Sequence, residues 1–191
     1  MSQTPLFLFL DRDGVINRRL PGAYVKRWDE FEFIDGTLAA LAYLTKRFDR
    51  TFVVTNQQGI GKDLMSVADL SLIHERMTWK VLSAGGHIDG IYYCPHLAAD
   101  GCNCRKPAPG LALQAREEYS EVDFSRSLMV GDSLADMQFG AHLGMVNILI
   151  ETKQEEKEKL EQAEHNGELK IAQRFPGLKE LAAFLAGGGV D

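Results

Sequence analysis

The chain has 191 residues, with Lys plus Arg at 21 and Asp plus Glu at 27, so its formal net charge is −6. With 45% hydrophobic and 25% charged residues, it has the composition of a folded globular protein about one domain long, which excludes disorder as its main theme. The acidic balance argues against a nucleic-acid backbone binder, which carries a basic excess. No window approaches the ~20 apolar residues of a membrane span.

Met1 to Leu10 lacks a basic n-region, and the apolar run Leu6–Leu10 is short and leads straight into Asp11. No signal peptide is read there, and a cytoplasmic, monomeric protein is expected. Apolar runs and helical patterns then alternate. Leu6–Leu10 predicts a buried strand, and Gly36–Phe48 a helix with Leu38, Leu41, Ala42 and Leu44 near helical spacing. Thr51–Thr55 predicts a second strand. Ser66–Ala84 predicts a helix with Ser66 and Asp69 spaced as a capping box and Trp79 on its core face. Ile88–Cys94 reads as a strand, Pro109–Tyr119 as a helix with Pro in its first turn, and Ser127–Gly131 as a strand. Ala135–Leu143 reads as a helix closed by Gly144, and Val146–Ile150 as a fifth strand. Two segments stand apart. Val15–Asp35 is too long for a βα turn and predicts a hairpin-like flap. Glu151–Lys170, with seven acidic residues and four lysines, predicts a solvated helix or mobile insert. Ile171–Phe175 and Leu178–Leu185 complete the pattern as a short strand and helix, and the tail Gly187-Gly188-Gly189 is expected to fray.

The alternation predicts one α/β domain over 1–191, a doubly wound parallel sheet of Rossmann-like type. Ligands of such sheets collect beyond the carboxyl ends of the strands. That rim receives Asp11 and Asp13 after strand one, Thr55, Asn56 and Gln57 after strand two, Arg105 and Lys106 after strand three, and Asp132 after strand four. Two carboxylates two residues apart can divide the work of nucleophile and proton shuttle. One Mg²⁺ can hold a carboxylate and a phosphate oxygen together against their repulsion. Each piece also has a plain reading: Asp-x-Asp can simply end a strand, and Asp132 and Asp136 can cap a helix.

Taken together and in this order, Asp11-Arg12-Asp13-Gly14-Val15, Thr55, Lys106 and Gly131-Asp132-Ser133-Leu134-Ala135-Asp136 resemble the four motifs of the haloacid dehalogenase superfamily. The likeness covers about residues 5 to 150. Further stretches, Phe31-Glu32-Phe33-Ile34-Asp35-Gly36, Thr55-Asn56-Gln57-Gln58-Gly59-Ile60, Cys94-Pro95-His96 and Cys104-Arg105-Lys106-Pro107, resemble its heptose-bisphosphate phosphatases, with histidinol-phosphate phosphatases as the related branch. The resemblance implies a Mg²⁺-dependent phosphatase of a small phosphorylated metabolite without a large cap domain. It implies Asp11 as nucleophile and Asp13 as acid and base. Thr55 and Lys106 would steady the phosphoryl group, with Mg²⁺ on Asp11, the Asp13 backbone carbonyl and Asp132. Substrate contacts are expected from Asn56, Gln57, Arg105 and Ser133.

Departures cluster on the leaving-group side. Gln58 stands where the family often has Ser, Gly61-Lys62-Asp63 where it has Ala-Arg-Gly, and Ser133 where some members have Lys; the flap is about two residues longer than in shorter members. Cys94, His96, Cys102 and Cys104 offer three sulfurs and one nitrogen within eleven residues, a set suited to tetrahedral zinc. Such a zinc would tie down the loop carrying Arg105 and Lys106. His74, His87, His142 and His165 lack such company and read as surface or helix packing. The rival readings from other classes are a phospho-acceptor signalling domain and a zinc-loop binding module without turnover.

Overall fold

The computed structural model describes residues 6–188. Six strands form one sheet: β1 (Phe7–Leu10), β2 (Arg50–Asn56), β3 (Gly90–Cys94), β4 (Ser127–Gly131), β5 (Val146–Ile150) and β6 (Ile171–Phe175). Their order is β3-β2-β1-β4-β5-β6, and every pair is parallel. The helices are α1 (Thr37–Arg47), α2 (Val67–Ser83), α3 (Gly110–Glu118), α4 (Leu134–Leu143), α5 (Lys157–His165) and α6 (Leu178–Ala186). The doubly wound arrangement follows from the side-chain period of two along each strand. Leu8, Leu10, Val53, Val130 and Ile148 join one core with residues of α1, α2 and α6. Phe7, Phe9, Phe52, Val54 and Met129 join another, with Leu111 and Ala115 of α3 and Phe139 of α4. A strand covered on both faces can be apolar throughout, as β1 is.

The capping box of α2 is formed: Asp69 N–H donates to Ser66 Oγ at 3.1 Å, and Ser66 N–H to Asp69 Oδ2 at 2.8 Å. Trp79 departs from the expectation. The buried stripe of α2 is Leu70, Ile73, His74, Met77 and Val81, and Trp79 falls off it, 60% exposed. Pro109 is the N-cap of α3 and not a first-turn residue. Gly187 and Gly188 form a turn, and Gly189 lies outside the described residues.

The flap is not a hairpin of strands. Its ends meet at one antiparallel bridge, Asn17 with Phe33. Val15 and Ile16 just before the bridge, and Val25 and Phe31 within the loop it closes, turn into the core, and Trp28–Glu30 makes a single 3-10 turn. Side chains directed inward at such irregular spacing cannot sustain a strand's alternation. The charged segment is likewise better ordered than its composition implies. α5 presents Leu160 and Ala163 inward, and these pack with Leu169, Met137 and Leu149 in a third small cluster. Its charges occupy the outer face of a docked helix.

Candidate active site

β1 and β4 lie side by side in register, with Leu10 opposite Val130, and the Asp11 N–H donates to the Val130 carbonyl at 2.9 Å. Asp11 therefore leaves the sheet beside Asp132, at the point where the strand order turns outward in both directions. Gly14 lets the chain turn here. Its φ is +97°, and a Cβ would lie 2.0 Å from Asp132 Oδ2, so any side chain would displace the carboxylate.

Lys106 reaches this point from the loop after β3. Its Nζ donates to Asp11 Oδ1 at 2.8 Å, Asp136 Oδ1 at 2.6 Å and the Val54 carbonyl at 2.7 Å. All three donors of the ammonium are thereby used in a site only 2% exposed. Burial would lower the lysine's pKa, but the charges of Asp11 and Asp136 outweigh it and hold Lys106 protonated. Carboxylate oxygens of Asp11, Asp132 and Asp136 lie within 4.8 Å of one another. Burial pushes Asp11 up to about 6 against the pull of Lys106. Burial, followed by the charges of Asp11 and Asp136, pushes Asp132 up to about 8. One ammonium does not neutralise three buried acids, and this excess negative charge is what a divalent cation relieves. Asp136 is already committed. Besides Lys106, it accepts from the Ser133 N–H at 3.0 Å and the Ser133 hydroxyl at 2.5 Å. That leaves Asp11 and Asp132 as the open oxygen donors for Mg²⁺.

Asp13 faces differently. Its carboxylate accepts two bonds from the Arg12 guanidinium at 2.8 Å, one from Asn17 Nδ2 at 2.9 Å and one from Gln57 Nε2 at 2.8 Å. Burial favours the neutral form, yet Arg12 and these hydrogen bonds outweigh it and hold Asp13 below the ordinary carboxylate range. Sequence reasoning missed the clamp's main part. Arg12 is fully buried, with His74 Nε2 3.3 Å from its guanidinium and the Phe31 ring centroid 6.0 Å away. Burial and the Arg12 charge force His74 down to about 3, so the imidazole is neutral and can accept from Arg12. The apolar spacing of α2 marks His74 as inward, but nothing in it identifies the partner.

The other expected residues divide by role. Thr55 is buried, and its hydroxyl accepts from Gln57 Nε2 at 2.9 Å. Gln57 thus links Thr55 to Asp13. Asn56 pairs with the Lys106 backbone in both directions, at 3.1 and 3.0 Å. Asn56 and Gln57, expected to touch substrate, line the pocket and also hold Lys106 and Asp13 in place. Ser133 also lines it, with its hydroxyl engaged in the α4 capping box. Arg105 faces the pocket directly, and Arg19 and Lys153, which the sequence did not single out, line it from the Asp132 side. Arg19 pairs with Glu155 at 2.8 Å and stands 4.0 Å from Asp132, joining flap to charged segment. The cavity holds about 400 Å³, room for a small metabolite and not for a polymer.

Beside it, Cys94 Sγ and Cys104 Sγ lie 3.5 and 3.4 Å from Cys102 Sγ, and His96 Nδ1 is 3.2 Å from Cys104 Sγ. The four donors converge within 4.8 Å. Burial foremost pushes the Cys94 thiol up to about 12. For Cys102 burial acts upward too, but hydrogen bonds from Cys104 and Cys94 bring it down to about 6.

A parallel sheet whose switch point gathers an acidic cluster, a buried lysine and a small polar cavity has the architecture of a phosphate hydrolase. Comparison with known proteins makes this specific. A HAD-hydrolase-like family model matches residues 103–178. A D-glycero-alpha-D-manno-heptose-1,7-bisphosphate 7-phosphatase of Mycobacterium bovis is 45% identical over 131 residues, 69% of each chain. The D-glycero-beta-D-manno-heptose-1,7-bisphosphate 7-phosphatase of Escherichia coli is 42% identical over 145 residues, 72% of this chain and 74% of that one. The crystal structure of D,D-heptose 1,7-bisphosphate phosphatase from B. bronchiseptica, complexed with magnesium and phosphate, superposes with a TM-score of 0.84 at 35% identity, covering 96% of this chain and 99% of that one. The chain belongs to the heptose-bisphosphate phosphatase family of the haloacid dehalogenase superfamily. Among the described residues no helix is long and apolar enough to cross a membrane.

Proposed function

We propose that this protein removes the 7-phosphate of D-glycero-D-manno-heptose 1,7-bisphosphate, using Asp11 as nucleophile. The observation carrying the reading is Asp11 itself. It stands at the carboxyl end of β1, 2.8 Å from the Lys106 ammonium and beside Asp132, in a chain 45% identical over 131 residues to a 7-phosphatase.

Asp11 and Asp132, with the Asp13 backbone carbonyl implied by the family likeness, are the groups that would hold Mg²⁺. Bound there, the ion supplies charge that lets a phosphate dianion approach a carboxylate. In the first step an Asp11 oxygen bonds to phosphorus as the bond to the sugar oxygen breaks, and Asp13 gives that oxygen its proton. In the second, Asp13 takes a proton from water as the water oxygen attacks the aspartyl-phosphate, releasing inorganic phosphate and restoring Asp11. To donate, Asp13 must first carry a proton, against the hold of Arg12, Asn17 and Gln57. Lys106 and Thr55 steady the phosphoryl oxygens, and Arg105 receives the rest of the substrate.

Cys94, His96, Cys102 and Cys104 form a structural zinc site in this reading. Zn–S bonds of about 2.3 Å in a tetrahedron set sulfurs about 3.8 Å apart, close to the separations here. Four protein ligands close the shell, so the zinc shapes the loop carrying Arg105 and Lys106 without entering the chemistry. The decisive assay is kcat/KM for the two anomers of the heptose bisphosphate and for histidinol phosphate, in Mg²⁺. The heptose substrate is expected to lead by orders of magnitude. Preference for histidinol phosphate refutes the assignment.

A further inference from the structure

Gln58 and Tyr24 belong to segments 34 residues apart. The structure brings them together on the wall of the active-site cavity, both half-buried and both lining it with Asp11 and Asp13. Gln58 Nε2 donates to the Tyr24 hydroxyl at 2.8 Å. Tyr24 is fastened in two further ways. Its ring packs so closely on the β2–α2 loop that a Cβ on Gly59 would stand 3.3 Å from Tyr24 Cγ. On the ring, Lys62 Nζ sits 5.2 Å from the centroid. These contacts fix the flap against the segment that carries Thr55, Asn56 and Gln57.

We infer that Gln58 and Tyr24 form a recognition pair for a hydroxylated leaving group, and that this pair selects a polyol phosphate over an amine-bearing one. The inference rests on the phosphatase reading above and extends it to the part of the substrate that departs. A phenol accepting one hydrogen bond still has its own proton to donate, and an amide bonded through its N–H keeps its carbonyl oxygen as acceptor. The wall therefore offers one donor and one acceptor side by side, the set that vicinal hydroxyls satisfy. Both groups are neutral, and the Lys62 ammonium sits over the Tyr24 ring. With Arg105 also lining the cavity, that side disfavours a cationic leaving group. The pair also lies on the proton-transfer side. Gln58 follows directly on Gln57, which holds Asp13 at 2.8 Å, so an alcohol leaving toward Asp13 passes along this wall.

The test compares Tyr24→Phe, Gln58→Leu and the double variant with the unaltered enzyme. Substrates are heptose 1,7-bisphosphate, histidinol phosphate and p-nitrophenyl phosphate, which has no leaving-group hydroxyls. Tyr24→Phe retains the ring packing, and Gln58→Leu retains bulk. Each is expected to lower kcat/KM on the heptose substrate by about tenfold, the scale of one lost hydrogen bond. On p-nitrophenyl phosphate each should change it less than about twofold, and the preference over histidinol phosphate should shrink. The double variant is expected to lose less than the product of the singles, because the two groups share one bond. Equal losses on heptose bisphosphate and p-nitrophenyl phosphate overturn the inference in favour of a structural role, as does an unchanged rate on the heptose substrate. If the unaltered enzyme ignores heptose bisphosphate, the proposed substrate falls. The pair is then judged by the same ratios on the best hexose or pentose phosphate, and an enzyme that prefers p-nitrophenyl phosphate to every sugar phosphate overturns it as well.

Discussion

Replacing Lys106 with Met keeps most of the side chain's volume and removes its charge and three donors. Asp11, Asp132 and Asp136, with oxygens within 4.8 Å of one another, then face each other without the ammonium. Two unit charges at that separation repel by about 3.5 kcal/mol at an effective dielectric near 20, and removing one member of a buried pair typically costs about 3–5 kcal/mol. For a chain of this size that corresponds to a fall in Tm of about 6–20 °C. The loss must depend on pH. Asp11 at about 6 and Asp132 at about 8 are raised above their unfolded values, so they favour the fold fully only at low pH. That contribution is lost as pH climbs through the folded-state values. Without Lys106 the Asp11 value, which the ammonium holds down, rises further, so the deficit is larger at pH 8 than at pH 5. Scanning calorimetry of both proteins in chelator at the two pH values measures it, and millimolar Mg²⁺ should restore part of the loss at pH 8. A deficit independent of pH, or no deficit, refutes the account of Lys106 as the charge that holds the cluster together.

Asp11→Asn is expected to abolish turnover, by more than about 10³-fold, while cooperative unfolding persists; normal steady-state rates in this variant exclude the nucleophile. Asp13→Asn should slow the reaction by about 10²–10⁴-fold, and an unchanged kcat removes its role as acid and base. Elemental analysis of the purified protein should find about one zinc per chain. Cys102→Ser should lower both the zinc content and Tm, and a metal-free native protein with unchanged Tm contradicts the structural site.

The strands and the rim were legible because their signals are local. A buried strand such as Leu6–Leu10 announces itself by an unbroken apolar run, and the capping box of α2 by Ser66 and Asp69. The residues that line the cavity could be enumerated because parallel sheets put them at strand ends. What each one touches could not, since that depends on directions fixed only by packing. Asn56 and Gln57 are legible as rim residues because they are polar and follow β2, but that Asn56 holds the Lys106 backbone and Gln57 the Asp13 carboxylate is set by packing alone. Arg12 stayed hidden because an arginine between two aspartates looks solvated, whereas a neutral His74 62 residues away lets it be buried whole. The high charge of residues 151–170 likewise masked the short apolar stripe Leu160 and Ala163 that docks α5.

Among the described residues, the opposite rim of the sheet carries none of this chemistry. Its turns run through Gly85 at the end of α2, Glu121 before β4 and Gly144 before β5, all exposed. A fluorophore, affinity handle or guest domain attached there sits at the opposite end of the strands from Asp11. That edge is therefore the natural place to wire this enzyme into a reporter or a surface while its turnover continues.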